Sequence, residues 1–380
     1  MGEKMIYLDN AATSGHKPTE VIRAVDSALK NHSANPGRSG HRPSERAASA
    51  VYSVREKVAR LFNASGAERV VFTSGCTHSI NCVLKGVLHG YDHVITSDLE
   101  HNSVVRPLAK LGVRTDDAQV SFYNDALTLE AFRSLIRPDT KMIFTTAASN
   151  VSGKRVPIKE LGALCRERGI LFGVDAAQTA GVYPIDMQRD NIDFLCIAPH
   201  KGLYAPMGTG ILIAEKELET TLIEGGTGSD SASVIQAPIV PEGLESGTIN
   251  VSGIIGIGAG IDFINKTGMD KISHHEMKLI TLLYDKLSAM PWVILYTPRP
   301  TAEEYAPVLS FNVSGLTSNE TAQFLDRNGV AVRAGLHCAP SAHKRMDTLE
   351  TGTVRVSVSA FNSVNDILRL CELIKNVKKL

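Results

Sequence analysis

The feature that most constrains the fold of this chain is an alternation of two patterns in its N-terminal part. Short apolar runs rich in β-branched residues are separated by longer stretches with helical periodicity. The runs are residues 70–73, 93–96, 142–145, 170–174, 194–197 and 210–213, and the helical stretches include 44–61, 79–88, 127–135 and 158–167. Apolar strands that alternate with helices predict an α/β fold with a mostly parallel sheet covered on both faces.

The pattern changes after about residue 255. A long helical region at 254–290 leads into strands at 292–296, 308–313, 330–332 and 353–358, with helices at 320–327 and 364–378. This mixture predicts a smaller C-terminal α+β domain. We expect a large domain over residues 15–256, a small domain over 257–380, and an N-terminal segment, 1–14, that packs with the small domain.

Charge and cysteine content exclude several classes of protein. Among 380 residues, 40 Lys and Arg balance 40 Asp and Glu, so a broadly basic nucleic-acid or membrane surface is not expected. Six cysteines without a CxxC pair favour neither a disulfide scaffold nor a zinc ribbon. The first residues lack the apolar run of a signal peptide, and no apolar stretch of about 18 residues occurs. We therefore expect a cytoplasmic protein without a membrane, nucleic-acid or metal partner.

Ligands of open α/β sheets bind outside the carboxyl ends of strands, and four predicted strand ends carry unusual polar groups. The first is the run 73–81, TSGCTHSIN, where a strand leads through Gly75 into a helix. The free N–H groups of that helix start, with the Thr77 hydroxyl, form a candidate anion site. An ordinary capped helix is the structural alternative.

The other three strand ends carry an imidazole, a carboxylate and an amine. His101 is a candidate acid or base, although a lone histidine is more often a surface or core residue. Asp175 ends an apolar strand, where it either caps the next helix or faces a cationic partner. Lys201 follows the next strand and is either a solvated loop lysine or a Schiff-base amine.

Together these groups match the needs of one cofactor, pyridoxal 5′-phosphate (PLP). PLP requires a lysine for its aldehyde, a carboxylate facing its pyridinium nitrogen and a phosphate cradle at a helix start. Lys201, Asp175 and the Thr77 loop supply these, and His101 would cover the ring face. The sequence therefore predicts a PLP-dependent enzyme.

Short motifs occur in a characteristic order along the chain. They are LDNAAT at 8–13, ANPGRSGH at 34–41, the Thr77 loop, EH at 100–101, SNV at 149–151, VDAAQ at 174–178, HK at 200–201, ESGTIN at 245–250, RAGLHCAP at 333–340 and TVRVS at 353–357. The ordered set resembles the class V aminotransferase family of fold-type I PLP enzymes, over essentially the whole chain. Within that family it resembles the cysteine desulfurase and selenocysteine lyase branch.

The resemblance implies roles for further residues. The residues expected to contact the cofactor are Cys76, Thr77, His101, Asn150, Asp175, Gln178, His200, Lys201 and Thr248. Thr248 would reach the phosphate in the neighbouring subunit, which implies a homodimer. The residues expected to bind the substrate are Asn35, Arg38, Asn150, Arg333 and Arg355. The planar guanidinium of Arg355 suits a bidentate pair with an α-carboxylate.

Cys338 carries the chemistry that distinguishes this branch. Its short loop resembles the compact cysteine loop of group II enzymes, and the nearby Arg333 and His337 would favour its thiolate. The implied reaction converts L-cysteine to L-alanine: Lys201 removes the α-proton, and Cys338 takes the sulfur as a persulfide for a protein or thiol acceptor. The other five cysteines are expected to be packing residues.

The sequence departs from the family pattern at two positions and leaves alternatives open. Ala198 removes one expected phosphate hydroxyl before His200, and Cys76 stands where relatives often have threonine. Selenocysteine lyase activity, or class V aminotransferase activity without desulfurase activity, remains an alternative, whereas the intact Lys201, Asp175 and Arg355 argue against a non-catalytic binding protein. The sulfur acceptor and the pathway served, iron–sulfur cluster assembly among them, also stay open.

Two further patterns suggest no site. The glycine-rich run 253–260 does not keep the GxGxxG spacing of a dinucleotide-binding turn, so we interpret it as a packing helix. The run HHE at 274–276 lacks the HExxH spacing of a zinc site, and we expect it on a helix surface.

Overall fold

The computed structural model describes residues 5–37, 39–228 and 232–377. Its helices are α1 Thr19–Asn31, α2 Arg42–Phe62, α3 Cys76–Val87, α4 Asn102–Leu111, α5 Asp125–Leu135, α6 Ile158–Arg168, α7 Val251–Thr267, α8 Met269–Ser288, α9 Ser318–Arg327, α10 Pro340–Arg345 and α11 Val364–Asn376. Its strands are β1 Ile6–Tyr7, β2 Val70–Thr73, β3 His93–Ser97, β4 Arg114–Ala118, β5 Thr140–Thr146, β6 Leu171–Asp175, β7 Phe194–Ile197, β8 Gly210–Ala214, β9 Val293–Leu295, β10 Val308–Val313, β11 Val330–Ala331, β12 Arg333–Gly335 and β13 Thr353–Ser357.

A seven-stranded sheet in the order β2-β8-β7-β6-β5-β3-β4 forms the centre of the larger part of the molecule. β8 is antiparallel to both of its neighbours, and the strands from β7 to β4 are parallel. Alternate residues of β7 belong to different apolar clusters: Leu195 and Ile197 to one, Phe194 and Cys196 to another. Because successive strand residues point to opposite faces, both faces are covered. The predicted α/β fold is confirmed.

Each of the six predicted apolar runs forms a strand of this sheet, within two residues of the expected bounds. The edge strand β4 was not predicted. Its sequence, RTDDA, contains three charged residues, and only Ala118 is buried. An edge strand with a solvated face needs no apolar pattern, which is why the sequence gives little signal for it.

The C-terminal part contains an antiparallel sheet in the order β12-β13-β10-β9, packed with apolar residues of α8 and α11. The helical region predicted at 254–290 is two helices, separated by Gly268 with a left-handed φ of +93°. The expected boundary at residue 256 lies inside α7, whose Ile254, Ile257 and Ile261 belong to the core of the large sheet. The division into three segments therefore stays a prediction. No described helix is both long and apolar enough to span a bilayer.

The N-terminal segment joins the two parts of the molecule. β1 pairs in parallel with β11, and Leu8 is buried in the C-terminal apolar cluster. The next residues lie beside β13, where the Ala11 N–H donates a 2.7 Å hydrogen bond to the Ser357 hydroxyl. The carbonyl of Ala11 in turn accepts a 3.1 Å bond from Nε2 of Gln178, which follows β6. This segment therefore links both sheets.

Candidate active site

The carboxyl ends of β2, β3, β6 and β7 face one cavity of about 660 Å³. β2 and β7 run in the same direction because each is antiparallel to β8. The predicted site residues in the wall of this cavity are Cys76, Thr77, His101, Asn150, Asp175, Gln178, His200, Lys201, Arg333 and Arg355. The structure thus brings together residues that lie far apart in the sequence.

Asp175 supplies the carboxylate of the cavity. It ends β6 and is buried, and its Oδ1 accepts a 2.9 Å hydrogen bond from the Ala177 N–H. The Cys76 thiol lies 3.6 Å from the same oxygen. Burial, and then the charge of Asp175, raise the pKa of Cys76 well above its ordinary value. Cys76 is therefore a protonated thiol that donates to Asp175, and not a second thiolate.

Lys201 supplies the amine and is half-buried in the turn that follows β7. Its backbone N–H donates to the carbonyl of Ala198 at 3.1 Å, and its own carbonyl accepts from the Tyr204 N–H at 3.0 Å. Burial lowers the pKa of the Lys201 amine, against the opposing effect of the Asp175 carboxylate. A lysine with a lowered pKa has a larger neutral fraction, which is the form that acts as nucleophile or base.

His101 begins α4 with a fixed ring orientation. Its Nδ1 accepts a 3.0 Å hydrogen bond from the Ser103 N–H, so in the neutral ring the proton is on Nε2. Burial lowers the pKa of His101, which favours the neutral ring at pH 7. The preceding Glu100 is fully buried and accepts bonds from the Ser97 hydroxyl and, at 2.9 Å, the Thr146 N–H. Glu100 thus ties β3 to β5 next to His101, a role that was not predicted.

The start of α3 has the features of an anion site. Gly75 precedes this helix, no side chain caps it, and its first turn contains no acidic residue. Gly210 on β8 leaves no room for a side chain there, because an added Cβ would lie 2.4 Å from the Gly75 carbonyl carbon. In the same cavity, Nδ1 of His200 is buried without a hydrogen-bond partner among the described residues. Burial lowers the pKa of His200 to about 4, so its ring is neutral at pH 7.

Asn150 and Gln178 connect the cavity wall to two other segments. Nδ2 of Asn150 donates to the carbonyl of His337 at 2.7 Å, and Nε2 of Gln178 donates to the carbonyl of Ala11 at 3.1 Å. Both side chains are half-buried, so each also presents an amide to the cavity. Their expected contacts with a cofactor or substrate stay predictions.

Arg355 on β13 supplies a buried guanidinium, 1% exposed, to the cavity wall. Its Nη2 pairs with Oδ1 of Asp9 at 2.5 Å, and its Nη1 donates to the carbonyl of Asn150 at 3.2 Å. Its Nε is buried without a partner among the described residues. No role was predicted for Asp9, although the motif at 8–13 contains it. The ion pair fixes the plane of the guanidinium.

Cys338 lies beside this cavity and not in its wall. The thiol is exposed, and its Sγ is 3.9 Å from Nη2 of Arg333, which does line the cavity. His337 and Cys338 both adopt left-handed backbone conformations, with φ of +49° and +59°. Such conformations are uncommon outside glycine and concentrate at functional sites. The Cys338 carbonyl accepts a 2.7 Å bond from the Asn102 N–H, which anchors the loop to α4.

The expectation that His337 favours the Cys338 thiolate is wrong. His337 is buried, and its Nε2 lies 3.1 Å from the carbonyl of Thr353. Burial lowers the pKa of His337 to about 2, so the ring carries no positive charge near neutral pH. Arg333 is the cation that remains beside the sulfur.

Besides Cys338, two described residues of the predicted set do not line this cavity. Asn35 lines a separate opening together with Tyr52 and Glu245. Thr248 is exposed, and its neighbours Gly247 and Ile249 line that second opening. Arg38 lies outside the described residues. The roles expected for these three residues stay predictions.

The remaining cysteines and the run 274–276 give two clear outcomes. Four further free cysteines are buried, as predicted: Cys82, Cys165, Cys196 and Cys371.

The expectation of a surface position for the run 274–276 is wrong for Glu276, which is 3% exposed, whereas His274 is exposed. Ile272 and Ile280, four residues before and after Glu276, are buried as well, so Glu276 lies on the apolar face of α8.

Comparison with known families decides the affiliation of the chain. The family model for class-V aminotransferases matches residues 6–370. The chain belongs to the class V aminotransferase family. The match covers the segments of Asp175, Lys201, Cys338 and Arg355 alike. Class V aminotransferases are in general PLP enzymes, which agrees with the amine, carboxylate and anion site of the cavity.

Relatives of this class V chain narrow its place in the family. It is 33% identical to a probable cysteine desulfurase of Synechocystis sp., over 96% of this chain and 89% of the relative. It is 32% identical to a cysteine desulfurase of Klebsiella pneumoniae, over 100% of this chain and 95% of the relative. The apo structure of a cysteine desulfurase from Thermococcus onnurineus superposes with a TM-score of 0.90 at 31% identity, covering 99% and 95% of the two chains. The chain is therefore in the cysteine desulfurase branch.

Proposed function

We propose that this chain is a PLP-dependent cysteine desulfurase that converts L-cysteine to L-alanine and takes the sulfur onto Cys338. One observation carries the proposal: a free, exposed thiol lies 3.9 Å from the guanidinium of Arg333, at the edge of the cavity that contains Lys201 and Asp175. An aminotransferase has no use for such a thiol.

The cavity wall fits PLP. Asp175 would pair with the pyridinium nitrogen and Lys201 would bind the aldehyde, while the N–H groups at the start of α3, the exposed Thr77 and the unpartnered Nδ1 of His200 would hold the phosphate. His200 would then compensate for the hydroxyl that Ala198 lacks. When bound, PLP supplies an electron-accepting ring for the charge left on the substrate α-carbon.

The protein positions the substrate through charges. Arg355 has an unpartnered Nε and is held by Asp9, so it presents a fixed guanidinium to the α-carboxylate of L-cysteine. The neutral amine of Lys201 removes the α-proton and retains it for a later step. His101, with its fixed tautomer, would contact the face of the cofactor ring.

Sulfur transfer uses Cys338 as a thiolate, beside the guanidinium of Arg333. The thiolate attacks the substrate sulfur, so that an S–S bond forms while the substrate C–S bond breaks. The electron pair of the broken bond remains with the β-carbon, which takes up a proton, and L-alanine leaves. The resulting persulfide is exposed, so a protein or thiol acceptor can reach it.

We also propose that the active form is a homodimer in the cytoplasm. Asn35 and Thr248 lie outside the main cavity, which suits residues that serve a neighbouring subunit. Val234 is 100% exposed and Ile235 is 80% exposed, and a second copy would cover such apolar side chains. A persulfide carrier needs a free thiol, which a reducing compartment maintains.

The test compares the wild type and Cys338→Ser with PLP and either L-cysteine or L-selenocysteine. We expect the wild type to form alanine from L-cysteine and to gain the mass of one sulfur atom on the peptide of Cys338. Cys338→Ser should do neither while keeping its cofactor. Full alanine formation from L-cysteine by Cys338→Ser would refute the role of this thiol, and turnover of L-selenocysteine alone by the wild type would assign a selenocysteine lyase.

A further inference from the structure

The carbonyl oxygen of His200, the residue before Lys201, is surrounded by hydrogen-bond donors from the N-terminal segment. The Ser14 N–H and the Ser14 hydroxyl each lie 3.0 Å from this oxygen, and the Thr13 hydroxyl lies 3.1 Å from it. The fourth donor is Nζ of Lys17, also at 3.1 Å. A carbonyl oxygen has two lone pairs, so four donors exceed what satisfies it and hold its position from several sides.

This oxygen belongs to the peptide unit that joins His200 to Lys201. The unit is planar, so the position of its oxygen also determines the positions of the N–H and the Cα of Lys201. The Lys201 N–H is held in turn by the carbonyl of Ala198, at 3.1 Å. The side chains of His200 and Lys201 both line the main cavity, whereas none of the four donors belongs to a residue of its described wall. The N-terminal segment thus holds the backbone of the site without occupying the cavity.

Lys17 differs from the other donors because it brings a full charge. Its side chain is half-buried, and its Nζ also donates to the Ser14 hydroxyl at 2.6 Å. Burial lowers the pKa of Lys17 to about 8, so most of the amine is still an ammonium at pH 7. Among the described residues this ammonium donates to two neutral oxygens and to no carboxylate. A hydrogen bond from an ionised donor is about twice as strong as a neutral one, so Lys17 is the donor whose loss this peptide should feel most.

The charge of Lys17 also reaches the ring of His200. Burial is the main cause of the lowered pKa of His200, and the positive charges of Lys201 and Lys17 lower it further. The ring is therefore neutral at pH 7, with its Nδ1 buried and unpartnered among the described residues. Lys17 thus acts on both residues of the HK motif, on one through a peptide and on the other through its charge.

We propose that Lys17 is a positioning residue for Lys201. Its ammonium fixes the His200 carbonyl, and the plane of that peptide sets the direction in which the Lys201 side chain leaves the backbone. The amine is thereby held where it binds the PLP aldehyde and removes the α-proton of the substrate. Because Lys17 is outside the cavity wall, it acts through the peptide and not by contact with the cofactor. The inference rests on the proposed role of Lys201 as the PLP lysine.

The alternative is that Lys17 only anchors the N-terminal segment. Its loss would then loosen residues 13–17 and lower the unfolding temperature. The reactivity of Lys201 would not change, because three other donors remain on the carbonyl. A positioning role predicts instead that the chemistry of the Lys201 amine becomes slower. The two roles therefore differ in the rate at which PLP attaches to the protein and in kcat.

The test compares the wild type with Lys17→Met, Lys17→Arg and the control Lys278→Met, which removes an exposed lysine from α8. Each protein is stripped of PLP and reloaded. The change in the visible absorption of PLP gives the rate at which the Lys201 amine binds its aldehyde. The reloaded enzymes then give kcat and KM for alanine formation from L-cysteine, and thermal unfolding is followed in parallel.

We expect Lys17→Met to lower both the attachment rate and kcat by about tenfold or more, because small misplacements of a reacting group cost rate steeply. KM for L-cysteine should stay within about twofold of the wild-type value, because the guanidinium of Arg355 is not affected. Lys17→Arg keeps the charge and the donors and should recover most of both rates. Lys278→Met should match the wild type.

Thr13→Val is a second variant, which removes one neutral donor from the same carbonyl and should lower both rates by about two- to threefold. If Lys17→Met keeps the attachment rate and kcat of the wild type, or changes only the unfolding temperature, the inference is wrong. A loss of similar size in Lys278→Met would also overturn it. Absence of bound PLP from the wild type, or unchanged visible absorption in Lys201→Ala, would instead refute the proposed function.

Discussion

The wall of the main cavity and the loop of Cys338 differ in how firmly they hold their reactive groups. In the wall, Asp175 and Arg355 are buried, and each is fixed by hydrogen bonds or an ion pair. Cys338 is exposed, and its loop is tied to the wall by the carbonyls of residues 337 and 338. Proton chemistry at the α-carbon benefits from fixed, desolvated groups, whereas sulfur delivery requires access from solvent.

This contrast divides the enzyme into a preorganised part and an accessible part, joined by two hydrogen bonds to carbonyls of the cysteine loop. Asn150 and the N–H of Asn102 bind the cysteine loop, and both belong to segments that form the cavity wall. Variants in the wall should therefore affect cofactor and stability, while variants in the loop should affect sulfur transfer alone.

The largest effect is expected for Lys201→Ala, which removes the amine from the wall. Activity should fall by about 10³-fold or more, because a positioned base contributes about 10² to 10⁴ and the anchor of the cofactor is lost with it. Alanine formation and visible absorption of the dialysed protein check this. Lys278→Ala, at an exposed position of α8, should leave both unchanged. Comparable loss in that control would indicate a general effect of lysine removal.

A large stability effect is expected for Asp9→Asn, which leaves the buried Arg355 without its anion. The free energy of unfolding should fall by about 2 to 3 kcal/mol. This loss is smaller than that for breaking a fully buried ion pair, because the Asp9 side chain is 20% exposed. Urea denaturation measures it. The control Asp26→Asn breaks an exposed pair with Lys30 and should cost about 0.5 kcal/mol or less. Equal losses would show that Arg355 does not depend on Asp9.

A smaller effect, centred on the cofactor site, is expected for Gly210→Ala. The added methyl group would collide with the backbone of Gly75 and displace the start of α3, and overpacking of this kind costs about 1 to 3 kcal/mol. PLP affinity, measured by equilibrium titration, should fall about tenfold. Gly90→Ala is the control. Its added Cβ would have the carbonyl oxygen of Leu111 as its nearest neighbour, at an ordinary contact distance of 3.5 Å, so the PLP affinity should not change. An unchanged PLP affinity in Gly210→Ala would show that the phosphate does not bind at the start of α3.

The smallest effect is expected in the loop, for Arg333→Gln. The guanidinium lies 3.9 Å from Sγ in an exposed setting, so its loss should slow alkylation of Cys338 by only about two- to fivefold. Iodoacetamide labelling with peptide mapping gives the rate. Arg345→Gln removes a charge from the adjacent α10 and should have no effect. If Arg345→Gln slows the labelling of Cys338 as much as Arg333→Gln does, the total positive charge of the region controls the reactivity of Cys338. Arg333 would then have no special role.

The residues that sequence predicts best are those at the ends of strands. Asp175, Lys201 and His101 each follow a run of buried residues, so the parallel sheet alone places them at one edge. Asp9 and Lys17 were missed for a different reason. Their importance depends on partners in distant segments, Arg355 on β13 and the carbonyl of His200 after β7, and no local pattern encodes such contacts.

Burial is the property that sequence reasoning judged least well. His337 was expected to act as a cation because it neighbours Cys338, but a position between strands β12 and β13 keeps it neutral. Glu276 was expected at the surface because the run 274–276 lacks the spacing of a zinc site, but it is buried. For both side chains the protonation state follows from desolvation, which becomes visible only when the packing is known.

The course of the N-terminal segment has a consequence for how the enzyme comes into being. Tyr7 pairs with β11, and Nδ2 of Asn10 donates a 3.0 Å bond to the carbonyl of Ser357 on β13, so this segment docks onto residues that are synthesised much later. Until β13 has left the ribosome, Asp9 has no guanidinium to bind. A chain in which β13 is not yet in place therefore lacks the guanidinium that we propose binds the substrate, and desulfuration requires that these two distant segments have docked.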